Sequence, residues 1–148
     1  SIRRLASLTD QTIHGFDSFQ GLPESWLHLP KGAFNANGAP PSAPDHVHFH
    51  TGLFNETLPS FLLTKSEEQP IKFLNVDCDL YSSTKAIFDL IESRIVSGTV
   101  IFFDEYFGFN DWRNHEFKAF QEAVKRNGWR YDYLAVNIYA YNAVVMIR

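Results

Sequence analysis

Apolar positions along the chain follow two rhythms. Short runs rich in Val, Ile and Phe predict strands over residues 12–16, 47–51, 71–76 and 99–103. Two of them, Lys72-Phe73-Leu74-Asn75-Val76 and Thr99-Val100-Ile101-Phe102-Phe103, are nearly continuous apolar runs, the pattern of parallel strands covered on both faces. Between the strands the period lengthens. Over 83–96, Ile87, Leu90, Ile91 and Ile95 share one helical face and Lys85, Asp89 and Glu92 the others. Over 114–127 the stripe is Phe117, Phe120 and Val124, with Gly128 placed to end the helix. A weaker helical pattern covers 56–64, where Pro59 is tolerated only in the first turn. Residues 1–8, with Ile2, Leu5 and Leu8, predict a short helix. The end differs: 131–138 alternates and is followed, without a helix, by 143–147, which predicts an antiparallel hairpin at a sheet edge. The expected fold is therefore α/β, one mostly parallel sheet with helices on both faces and a C-terminal hairpin. The long connection 17–46 holds five of the seven prolines, and a loop of that length predicts a lid or a substrate-binding segment.

Composition narrows the class. A length of 148 residues suits a single domain over 1–148, and 45% hydrophobic against 20% charged residues excludes intrinsic disorder. The charge is 13 − 17 = −4 with no Lys/Arg block, which argues against a nucleic-acid partner. No apolar run approaches the roughly 18 residues of a membrane helix, so no membrane partner is expected. The single cysteine, Cys78, excludes an internal disulfide and an all-Cys zinc site, and fits a reducing, cytoplasmic setting.

Chemistry concentrates where strands end. In an open parallel sheet, ligands bind outside the carboxyl ends of the strands. Three predicted strands run into acids there: Phe16-Asp17, Val76-Asp77-Cys78-Asp79 and Phe103-Asp104-Glu105. Single acids at such places often serve as helix N-caps. An Asp-x-Asp and an Asp-Glu on consecutive strands point instead to a shared hard cation, Mg²⁺, Mn²⁺ or Ca²⁺. Phosphotransferases built on Asp-x-Asp-x-Thr/Val are disfavoured, because Tyr81 stands at the last position. A nucleotide-sugar glycosyltransferase holding Mn²⁺, a metal-assisted methyltransferase, and a non-catalytic binding module all remain open.

Four phrases, Gly15-Phe16-Asp17-Ser18-Phe19-Gln20-Gly21-Leu22-Pro23-Glu24, Gly52-Leu53-Phe54-Asn55-Glu56-Thr57-Leu58-Pro59, Val76-Asp77-Cys78-Asp79-Leu80-Tyr81-Ser82-Ser83-Thr84 and Asp104-Glu105-Tyr106, resemble the macrocin O-methyltransferase family. These are class I, S-adenosylmethionine-dependent enzymes that methylate sugar hydroxyls of natural products. The resemblance implies a small-molecule hydroxyl acceptor and a cofactor site containing Asp17, Ser18, Gly52, Leu53 and Asp77, with Asp17 on the ribose. It implies a Mg²⁺ site of Asp77, Asp104 and Glu105, and Asp79 as the base. The family more often has Asp-Asp where this chain has Asp104-Glu105. Association into a homo-oligomer is left open.

One part of that pattern is not found. Class I methyltransferases carry a glycine-rich turn after their first strand, and this sequence has no Gly-x-Gly. The expectation is a chain that starts after that strand and turn, and that binds the cofactor poorly alone. Smaller signals have plain readings beside functional ones. His46, His48 and His50 suit zinc or a polar edge strand, and Cys78 between two acids is a poor nucleophile. Trp112, Arg113 and His115 suit substrate contact or packing. Tyr131, Tyr133, Tyr139 and Tyr141 suit a packed ladder, and Trp26, Lys31 and Phe34 suit exposed acceptor contacts.

Overall fold

The computed structural model describes residues 2–66 and 69–148; Ser1, which the first predicted helix included, lies outside them. The chain divides into two compact units, 1–60 and 61–148.

The first unit holds α1 (Ile2–Ala6), β1 (Ile13–Asp17), β2 (Val47–Thr51) and the start of α2 (Phe54–Leu62). β1 and β2 pair in parallel, from Ile13 opposite Val47 to Asp17 opposite Thr51. The connection between them is a built structure. The Leu22 amide donates to Ala33 O at 2.9 Å, and the Phe19 carbonyl accepts from Ala36 and Gly38 at 3.0 and 2.8 Å. Phe19, Leu22 and Trp26 are buried, so the expectation of Trp26 as an exposed acceptor contact is corrected. A loop this long needs its own apolar anchors to order its backbone, and Trp26 is one of them. Phe34 does project, at 69% exposure. A second correction concerns α2: it begins two residues before the predicted 56, which moves Pro59 out of the first turn and into the helix.

The second unit holds β3 (Phe73–Val76), α3 (Tyr81–Ile91), β4 (Val100–Phe103), α4 (Glu116–Asn127), β5 (Tyr131–Asn137) and β6 (Asn142–Ile147). Single 3₁₀ turns, Glu92–Arg94 and Trp112–Asn114, follow α3 and precede α4. The sheet order is β3-β4-β6-β5; β3 and β4 are parallel, and β6 is antiparallel to both its neighbours. Gly128 ends α4 at φ 65°, its amide donating to Val124 O, as the sequence predicted.

The core of this unit is aromatic. Phe88 of α3, Phe103 of β4 and Phe120 of α4 are fully buried, with ring centroids 5.0–6.3 Å apart. Truncating such a ring typically costs about 3–5 kcal/mol. Both helices therefore pack on one face of the sheet, and their outer ends are tied by Arg126 to Asp89 at 2.9 Å and to Glu92 at 2.6 Å.

Two expectations change here. The strands form two separate sheets, of two and four strands, instead of one. The continuous apolar runs are also not buried continuously: β4 alternates, with Ile101 and Phe103 at 0% exposure and Val100 and Phe102 in between. The reason is the shared face of α3 and α4, which buries every second residue.

Candidate functional site

Parallel pairing of β3 with β4 aligns Val76 with Phe103, so both strands end at the same edge and release their acids together. The Asp104 amide still donates to Val76 O at 3.0 Å, which extends the register one step past the strands. Beyond Val76 the chain turns tightly: Leu80 N–H donates to Cys78 O at 2.6 Å, and Asp79 adopts φ 61°. That left-handed conformation is uncommon for a residue other than glycine, and Asp is among those that tolerate it.

Three of these acids, Asp79, Asp104 and Glu105, are raised. Burial, then the charges of Asp77 and Asp104, push Asp79 up to about 6. Burial and the charges of Asp104, Asp79 and Asp77 push Glu105 up to about 7. Asp104 is also raised, first by burial and then by Asp77, against the opposing bond from Asn142. The Asn142 amide of β6 donates to the Asp104 carbonyl at 2.6 Å and to its Oδ1 at 2.9 Å. The structure thus brings Asp77, Asp79, Asp104 and Glu105 into one electrostatic neighbourhood. Among the described residues, no three His, Cys, Asp or Glu side chains are grouped so as to hold a metal ion. The donors are the hard carboxylate oxygens that Mg²⁺ prefers, so their chemistry fits the ion, while their present side-chain arrangement is not a ligand cage.

Beneath these loops lies Glu116, the first residue of α4, at 0% exposure. Its Oε1 accepts the Cys78 and Asp79 amides, each at 3.3 Å, and its Oε2 accepts the Glu105 amide at 3.4 Å. Burial pushes its carboxyl up to about 8, against the pull of the amides. Cys78 is likewise raised by burial and then by Glu116, with Sγ 3.3 Å from Thr84 Oγ1, which suits a packed thiol and not a nucleophile.

The remaining predicted residues belong to the first unit. Asp17 ends β1 exposed, its Oδ1 accepting the Phe19 amide at 2.8 Å, and Ser18 Oγ accepts Gln20 N–H at 3.1 Å. Gly52 follows β2 at φ 146°, and a Cβ there would stand 2.9 Å from Thr57 Cγ2. The Leu53 amide donates to Glu56 Oε2 at 3.3 Å, and its side chain is 44% exposed.

Other signals resolve individually. His48 and His50 lie on β2, and His14 of β1 meets His50 with Nδ1 to Nε2 at 3.1 Å. His46 precedes β2 and stands 3.3 Å from Ala6 O. Arg113 stacks its guanidinium 4.1 Å from the Trp112 ring, and His115 makes no side-chain capping bond to α4. Trp112 joins Tyr106, Phe107, Phe117, Tyr133, Val136 and Ala143 around a cavity of about 230 Å³ that starts two residues beyond Asp104. Tyr106 and Tyr133 meet hydroxyl to hydroxyl at 3.1 Å, and Gln121 donates to Tyr106 and Tyr131. Tyr139, at 90% exposure, stands outside that network, so the four-tyrosine ladder is only half formed.

Sequence reasoning missed Glu116 and Asn142. A first-turn acid is the commonest helix ornament, and nothing in its spacing signals a buried side chain. Asn142 sits at the start of a strand, and only the β4–β6 pairing brings it to Asp104.

Strand-end acids on a parallel βα framework with an antiparallel edge define an α/β Rossmann-like fold. The sequence matches the "Methyltransferase domain" family over residues 1–106, and the chain belongs to that family. No curated protein matches it. Among solved structures, the calicheamicin methyltransferase CalS11 aligns at TM-score 0.72 and 19% identity, over 98% of this chain and 65% of that one. The O-methyltransferase NovP aligns at 0.63 and 20%, over 98% and 63%. An O-methyltransferase from Bacillus cereus, in complex with SAH, aligns at 0.52 and 18%, over 93% and 73%. The chain thus spans just under two thirds of the length of CalS11 and NovP.

Proposed function

We propose that this chain serves an S-adenosylmethionine-dependent O-methyltransferase of the macrocin type, acting on a hydroxyl of a sugar or other natural product. The observation that carries the reading is the meeting of Asp77, Asp79, Asp104 and Glu105 at one sheet edge, in a chain whose first 106 residues match a methyltransferase domain. Asp79 is the base: pushed up to about 6, it is ionised at neutral pH yet basic enough to take a hydroxyl proton as the oxygen attacks. Asp77, Asp104 and Glu105 are the residues that would hold Mg²⁺, which supplies a lowered hydroxyl pKa when bound. Asn142 orients Asp104 for that role. Asp17 accepts the ribose hydroxyls with the carboxylate oxygen that its Asx turn leaves outward, and Gly52 and Leu53 give the adenine a close backbone and an apolar side chain. The aromatic cavity beside Tyr106 receives an apolar part of the acceptor. S-adenosylmethionine supplies the electrophilic methyl group when bound, so the rate gain owed to the protein is largely positioning.

The sequence has no Gly-x-Gly turn for the methionine end of the cofactor, and this reading expects weak affinity in these 148 residues. At a Kd of about 1 mM, 5 mM S-adenosylhomocysteine stabilises the fold by about 1 kcal/mol. The expected outcome is a thermal shift of a few degrees that Asp17→Ala removes. A shift with a nucleoside diphosphate and Mn²⁺, and none with S-adenosylhomocysteine, would replace this reading with a glycosyltransferase. No shift with either would favour a non-catalytic module.

A further inference from the structure

We propose that Glu116 is the positioning residue of the acidic site: its buried carboxyl group fastens the turn after β3 to the turn after β4, and so sets where Asp79 and Glu105 stand. The inference extends the reading of those acids as the working groups, and rests on that reading for its functional meaning. The geometry is specific. A first-turn acid normally lies in solvent near the helix N-terminus, but Glu116 is fully enclosed. Each of its oxygens serves a different strand end, one for Cys78 and Asp79, the other for Glu105. Both oxygens of the carboxyl group act as acceptors here, Oε1 for Cys78 and Asp79 and Oε2 for Glu105, whereas an amide of the same shape turns a donor toward one of the loops. Asp79 also needs support, because it is held at φ 61° with the two amides on its N-terminal side bonded to Glu116. Groups behind a metal or catalytic shell typically change affinity by about 10–100-fold when removed.

The test compares wild type, Glu116→Gln, Glu116→Asp and Phe120→Leu. Phe120→Leu weakens the same helix through the core without touching the acids. Backbone amide exchange is read by NMR at Cys78, Asp79 and Glu105, and Mn²⁺ affinity by the EPR signal of the unbound ion. The expected result for Glu116→Gln is faster exchange at these amides and Mn²⁺ binding weakened at least about 10-fold. Phe120→Leu, at a comparable loss of Tm, should change neither. If Glu116→Gln does not fold, Glu116→Asp decides by the same readouts: it keeps the carboxyl group but is one methylene too short to span both turns. Unchanged exchange at the three amides overturns the proposal. So does faster exchange with unaltered Mn²⁺ affinity, or equal effects from Phe120→Leu. If wild type itself binds no Mn²⁺, the metal part of the proposed function fails. The positioning role then stands or falls on whether exchange accelerates at the three amides in Glu116→Gln and not in Phe120→Leu.

Discussion

Asp79 concentrates the chemistry of the site in one residue. Its backbone is in the left-handed region and its carboxyl is raised to about 6 by burial and two neighbouring acids. Asn tolerates the same backbone, so Asp79→Asn removes the proposed base and leaves the turn intact. On the proposed reading, methyl transfer should fall about 10²–10⁴-fold while protection by S-adenosylhomocysteine is unchanged. The wild-type rate should rise with pH as Asp79 ionises, because the ionised form is the active one, and a rate that falls as pH rises from acid to neutral would remove Asp79 from the base role. The Asp-x-Asp and Asp-Glu pairs were legible in sequence because strand-end acids are local. Glu116 and Asn142 were not, since each acts across more than ten residues through an ordinary-looking position.

Among the elements, the connection between β1 and β2 shows how a proline-rich stretch becomes ordered. Gly21 makes its tightest approach: it adopts φ 79°, and a Cβ would stand 2.3 Å from the Ala33 carbonyl oxygen. That contact is with backbone, which cannot rotate away. Gly21→Ala should therefore destabilise the chain by more than the roughly 1 kcal/mol of a left-handed alanine, as read by urea unfolding. A loss below about 0.5 kcal/mol would mean that the loop relaxes freely. The elements themselves were largely legible. Short apolar runs gave strands within two residues of their ends, and the stripe Phe117-Phe120-Val124 gave α4. Prediction failed where the outcome depended on neighbours: Trp26 read as an exposed loop aromatic until the loop folded over it, and Pro59 shifted within α2 because that helix starts earlier.

For the molecule as a whole, clustered acids make stability depend on pH. Asp79, Asp104, Glu105 and Glu116 all have raised values, so between their ordinary range and the raised one the folded chain binds more protons than the unfolded chain. Stability contributed by these groups is present at low pH and is lost as pH rises from about 4 to about 8. His115, held low by burial, and Glu92, held low by the bonds from Asn127 and Arg126, work in the opposite direction. In EDTA, Tm should fall from pH 5 to pH 8, and Asp77→Asn should flatten that fall by removing a charge that raises three of the others. A Tm rising steadily across that interval would contradict the mutual repulsion of the cluster. The sequence by itself determined the alternation of elements, the antiparallel end and the acids at the strand ends, because periodicity and strand termination are local properties of the chain. Only the tertiary structure decided that the strands separate into two sheets, that one face of β4 is buried, and that a single enclosed carboxyl group joins two turns. Those outcomes depend on which distant groups compete for the same backbone amides and the same apolar face, and no local pattern encodes that competition.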